Sequence, residues 1–129
     1  MANPEAAALL RIARRDLRAA ERLQDPAIDE ASWGFFVQQA VEKALKAWLL
    51  LVGEQPPPIH NLTLLFQRLA DRLDAVALEP FQELVAFTDF AVQLRYDDAL
   101  DPIGLDRSLW QQRAEALVQY VETLLASGR

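Results

Sequence analysis

Few residues in this 129-residue chain have side chains able to act on a ligand, and their scarcity narrows the chemistry. His60 is the only histidine, and there is no cysteine. Thiol nucleophiles, disulfides and sulfur-based zinc sites are therefore excluded. Any metal site would rest on carboxylates and one imidazole, so neither a metal nor another cofactor is expected. His60 follows three prolines and directly precedes Asn61, where its ring could fix a neighbouring loop. With no orienting partner evident in the sequence, that structural role outweighs an acid–base one. Arg95 and Tyr96 stand together just before Asp97, Asp98 and Asp101. A guanidinium beside a phenol can grip a phosphate, yet an arginine closing a helix also complements the helix dipole. The three aspartates lack the glycine and terminal glutamate of an EF-hand loop and read as a solvated turn. Arg11, Arg14, Arg15, Arg18 and Arg22 recur at helical spacing. Their face suits phosphates or an acidic protein partner, with a solvated helix surface as the plainer alternative. Phosphate-cradling glycine loops, serine nucleophile elbows and paired histidines at helical spacing are all missing.

Positioning these groups falls to helices, because proline and glycine divide the chain into five segments whose apolar residues recur every three to four positions. The first runs from about Pro4 to Gln24, with Leu10, Ala13, Leu17 and Ala20 on its inner side and the arginines opposite. The second, about Glu30 to Val52, has Asp29 or Ser32 as its cap. Its stripe is the strongest in the chain: Trp33, Phe36, Val37, Ala40, Val41, Ala44, Leu45, Trp48, Leu49 and Val52. Phe35 and Leu50 fall on the far side with Gln39, Glu42, Lys43 and Lys46, which implies a second packing partner. Asn61 caps a short third helix carrying Leu62, Leu65, Phe66, Leu69 and Leu73. Pro80 opens a fourth with the stripe Phe81, Leu84, Val85, Thr88, Ala91 and Leu94, widened by Phe87 and Phe90. After a loop over 96–104, Asp106 caps a fifth with Trp110, Ala114, Leu117, Val118, Val121, Leu124 and Leu125. The expected fold is all-α: an up-down four-helix bundle with one additional short helix, five helices in total.

A chain of this length with 52% hydrophobic and 25% charged residues reads as one folded domain over residues 1–129. Its longest purely apolar run, Ala47 to Val52, is far shorter than the roughly 20 residues of a membrane-spanning helix. Met1-Ala2-Asn3-Pro4-Glu5 lacks the basic-then-apolar pattern of an export signal. A cytoplasmic protein without a membrane role is expected. The net charge of −6 argues against indiscriminate coating of nucleic acid while leaving room for a local basic face.

Three motifs occur in order along the chain: Phe36 to Ala47, containing Gln38-Gln39-Ala40-Val41-Glu42-Lys43-Ala44-Leu45-Lys46; then His60-Asn61-Leu62 with Leu65; then Arg95-Tyr96-Asp97-Asp98. Together they resemble the HEPN family (higher eukaryotes and prokaryotes nucleotide-binding) over nearly the whole chain. The first is similar to that family's second-helix signature, the second to its Thr/Ser-His-Asp/Asn-Leu start of the next helix, and the third to its Arg-Tyr-Pro-Asp variant. The resemblance implies a helical bundle that commonly dimerises, with members paired with small nucleotidyltransferases in toxin–antitoxin-like systems and others acting as metal-independent ribonucleases. The ribonuclease members carry a histidine four to six residues after the arginine that Arg95 matches. Here Tyr96 to Pro102 contains none, so an enzyme is not the first expectation. What the resemblance implies is a dimeric nucleotide- or RNA-associated binding module using Arg95, Tyr96, Lys43 and Lys46, with Phe35, Gln39 and Leu50 at the dimer interface. One alternative is a ribonuclease toxin in which His60 or Tyr96 works beside Arg95; another is a dimerisation scaffold.

Overall fold

A computed structural model describes residues 3–90 and 103–128. Among the described residues, five α-helices and one 3₁₀ helix account for the regular structure and no strand occurs, as the repeating apolar pattern requires. Helix α1 covers Pro4–Arg22, α2 Glu30–Leu51, α3 Leu62–Ala70, α4 Ala75–Leu78 and α5 Arg107–Ala126. The long helices α1, α2 and α5 pack against one another in every pairing, and α3 and the 3₁₀ helix close the remaining side of α2.

The starts of α1, α2, α3 and α5 are each set by a side chain that accepts an otherwise orphaned amide. Asn3 accepts from Ala6 N at 3.0 Å, with Pro4 in the first turn where its missing N–H costs nothing. Of the two candidate caps for α2 it is Asp29 that serves, taking both Ser32 N at 2.9 Å and Ser32 Oγ at 2.8 Å. Those two donations hold the Asp29 carboxyl below its usual range. Asn61 and Asp106 cap α3 and α5 through Leu64 N and Leu109 N.

The fourth segment differs from its expected form. Instead of an α-helix opening at Pro80, the single turn of α4 passes into a 3₁₀ helix over Glu79–Phe87. The reason lies in the spacing of the aromatics. Phe81, Leu84, Phe87 and Phe90 lie three residues apart and are all buried. Three residues per turn keeps positions three apart on one line, whereas an α-helix would rotate each away from the last. Val85 and Thr88, assigned to the apolar stripe by α-helical counting, are only half-buried. Ala91 and Leu94 lie outside the described residues. Helix α3 also stops at Ala70, one turn before its last apolar residue, Leu73.

The core is continuous from α1 through α2 to α5, with Trp33, Trp48, Phe66 and Phe87 among its largest fully buried side chains. Trp33 meets Phe87 edge-on at a centroid distance of 5.5 Å. Two buried polar groups lock this apolar interior into one register. Gln111 on α5 donates to the Leu17 carbonyl of α1 at 2.9 Å. Glu30, in the first turn of α2, accepts from the backbone amides of Ile103, Gly104 and Leu105 at 2.7, 2.9 and 2.9 Å. Gly104 has a φ of +85°, a conformation that turns three successive amides toward one carboxylate at no steric cost. Glu30→Gln keeps the shape but loses the charge on these donors and one acceptor oxygen. It is expected to lower stability by about 1–2 kcal/mol in urea unfolding. An unchanged midpoint would show that the three amides gain nothing from the carboxylate.

Candidate functional site

The polar face of α2 is built from residues one turn apart, so each side chain can reach the next. Gln38 donates through Nε2 to Glu42 Oε1 at 3.0 Å and to the His60 carbonyl at 3.2 Å. Lys46 donates to Glu42 Oε2 at 3.2 Å. On the adjoining row Lys43 donates to Gln39 Oε1 at 2.8 Å, and Gln39 donates to Gln38 Oε1 at 2.7 Å. Lys43 also lies 3.8 Å from Asp16 Oδ2 of α1, an oxygen with no hydrogen-bond donor among the described residues. Gln38, Glu42 and Asp16 are buried, so a connected polar network runs between α1 and the start of α3 through the middle of α2.

His60 completes the network from outside. Its Nδ1 sits 3.0 Å from Glu42 Oε1 and 3.2 Å from Oε2. Its side chain is 66% exposed whereas that of Glu42 is 5% exposed. Burial alone would push the Glu42 carboxyl up. Donation by Gln38, the charge of Lys46, and the bonds from His60 and Lys46 outweigh burial and hold it below its ordinary value. An ionised carboxylate can only accept, so the nitrogen facing it must carry the hydrogen. The neutral ring therefore presents an unprotonated Nε2 outward, its tautomer and direction fixed by a buried anion. Such a group can accept a proton, or donate one once protonated.

Sequence reasoning missed this carboxylate–imidazole pair because Glu42 and His60 lie on different elements. The one available signal was the spacing of Gln38, Glu42 and Lys46 at intervals of four. Lys43 and Lys46 have 19% and 15% of their side chains exposed and already hold internal partners. They frame the face but are not freely extended cations. Gln39 and Phe35 are half-buried on α2, and Leu50 is half-buried against the core. Arg95, Tyr96, Asp97, Asp98 and Asp101 lie outside the described residues. Among those that are described, no three histidine, aspartate or glutamate side chains cluster as metal ligands would.

This bundle, carrying its second-helix glutamine–glutamate–lysine face against a histidine at the start of α3, corresponds to a known domain. Residues 6–128 match the HEPN domain. The chain belongs to the HEPN family. A solved structure described as the crystal structure of TT1696 from Thermus thermophilus is similar across 95% of this chain and 94% of that one, at 27% identity and a TM-score of 0.58. None of the curated proteins matches this HEPN chain. No helix among the described residues is long and apolar enough to cross a membrane.

Proposed function

We propose that this HEPN domain is a dimeric binding module for the phosphates of a nucleotide or RNA, paired with a separate small nucleotidyltransferase in a toxin–antitoxin-like system. The observation that carries the ligand part is the exposed His60 ring held on buried Glu42, with Lys46 on the same carboxylate and Lys43 on the adjoining row of α2. Once protonated at Nε2, a ring whose orientation is already fixed donates a hydrogen bond to a phosphate oxygen with little further ordering cost. Arg95 and Tyr96 complete the ligand contacts in this reading, and Phe35, Gln39 and Leu50 form the dimer surface. The nucleotidyltransferase partner rests on the family resemblance.

Binding of a labelled RNA oligonucleotide and of ATP, followed by fluorescence anisotropy and calorimetry, tests the ligand. His60→Ala and Arg95→Ala are each expected to weaken binding by about tenfold or more, since a hydrogen bond to a charged group contributes about 1.5–3 kcal/mol. Binding that neither substitution changes would refute the assignment. Light scattering at micromolar concentration tests the dimer. A monomer, or a dimer indifferent to Phe35→Ala with Leu50→Ala, would remove that part.

The carboxylate–imidazole pair favours a second reading, ribonuclease activity. His60 Nε2 would take the proton of a ribose 2′-hydroxyl as that oxygen bonds to phosphorus and the 5′-oxygen leaves with a proton from water, while Arg95 binds the phosphate. Cleavage of generic RNA in chelator, abolished by His60→Ala, would replace the binding-only reading with this one.

A further inference from the structure

The arginines of α1 are not absorbed by the α2 face, and three of them line a groove on another side of the bundle. Ala7, Leu10, Arg11, Arg14 and Arg18 of α1 face Glu122 and Leu125 of α5 across it. Its floor is apolar, formed by buried Leu10 with half-buried Ala7 and Leu125. Arg14 spans the two helices with a two-pronged bond to Glu122, Nε to Oε2 at 3.0 Å and Nη2 to Oε1 at 2.8 Å. That bond raises the Arg14 guanidinium further above its ordinary value and uses its charge internally. Arg11 and Arg18 lie about one turn to either side of Arg14, exposed, and neither meets a carboxylate within salt-bridge distance among the described residues.

From this arrangement we infer that the α1–α5 groove is a docking surface for an acidic amphipathic helix of a partner protein. Charge complementarity argues for that occupant. Two exposed guanidinium groups with no carboxylate partner among the described residues, seven residues apart and about 10 Å along the helix, flank an apolar floor. A helix with carboxylates at i and i+7 and leucines between them would set one acid on each arginine and its leucines on Leu10 and Leu125. Nucleic acid fits less well. The Glu122 carboxylate is held on Arg14, the arginine between those two along the helix, and stacked bases would find no aromatic ring among the groove residues. The chain's net charge of −6 gives an acidic partner no general attraction, so a local basic strip also fixes how the partner docks.

The probe is a labelled helical peptide with glutamates at i and i+7 and leucines at i+3 and i+4, compared with its lysine-substituted counterpart. The protein is the full chain and its Arg11→Glu/Arg18→Glu variant. Both positions are exposed, so thermal unfolding should be unchanged. Amide-shift mapping by NMR should place the acidic peptide on Ala7, Leu10, Arg11, Arg18 and Leu125. Charge reversal should weaken the acidic peptide by about tenfold or more and admit the lysine peptide instead. Absence of binding, equal binding of both peptides, or shifts located elsewhere would overturn the inference. So would displacement by an RNA oligonucleotide through the same two arginines, or a change in self-association on charge reversal, which would assign the groove to nucleic acid or to a second copy.

Discussion

Glu42→Ala is expected to lower stability by about 3 kcal/mol, the largest loss from any single side chain of the polar network. Glu42 is the one acceptor shared by Gln38, Lys46 and His60. Removing it leaves the buried Gln38 amide with the His60 carbonyl as its one remaining acceptor and the Lys46 ammonium, largely shielded from water, without its anion. Glu42→Gln retains the volume and one oxygen but substitutes a neutral acceptor, so its loss should be smaller. The effect depends on pH in a defined sense. The folded carboxyl lies below its ordinary value near 4.5, so the unfolded chain binds more protons in acid. The stabilisation is present in full above that value and disappears as pH falls through the folded one. Urea midpoints measured from pH 7 down to pH 3 should therefore converge for wild type and Glu42→Gln at the acid end. Parallel curves would mean that the ionised form is not what the fold favours.

Gly34→Ala should destabilise the protein by about 2 kcal/mol, although alanine is the better helix former by about 0.5–1 kcal/mol. The added Cβ would lie 2.7 Å from Phe90 Cγ and closer still to two other ring carbons. Phe90 is itself buried, so the ring cannot swing into solvent, and the overlap involves its base as well as its edge. Thermal unfolding should fall by roughly 6–10 °C. Phe90→Leu, destabilising alone, should recover part of the loss in the double variant, because the smaller side chain vacates the space Cβ needs. If the two losses simply add, Phe90 is not what requires glycine at this position.

These two substitutions concern residues that periodicity alone would have misjudged. Gly34 interrupts the apolar stripe of α2 as though it were a neutral gap, and Glu42 occupies the face opposite Trp33, where a solvated acid is the ordinary expectation. A glutamate beneath a histidine is costly to bury, and its four-residue spacing from Gln38 and Lys46 is what supplies the compensating hydrogen bonds.

From residue order alone come the properties that depend on near neighbours. These are the helical character of each segment, the caps at Asn61 and Asp106 and the choice of Asp29 or Ser32 for α2, the amphipathic stripes that require an all-helical core, and the motif order matching the HEPN family. Each arises from contacts within a few positions, which residue spacing encodes directly. Only tertiary structure decided the rest. The fourth segment became a 3₁₀ helix because the surface of α2 and α5 asks for aromatics in a straight line. The Glu30 cradle joins residues more than seventy positions apart, and the Glu42–His60 pair forms where a helix face meets the connector that returns to it. Distance along the chain carries no information about such meetings. They are set by how the apolar stripes dock, and the polar groups that end up adjacent are those the docking leaves no other partner.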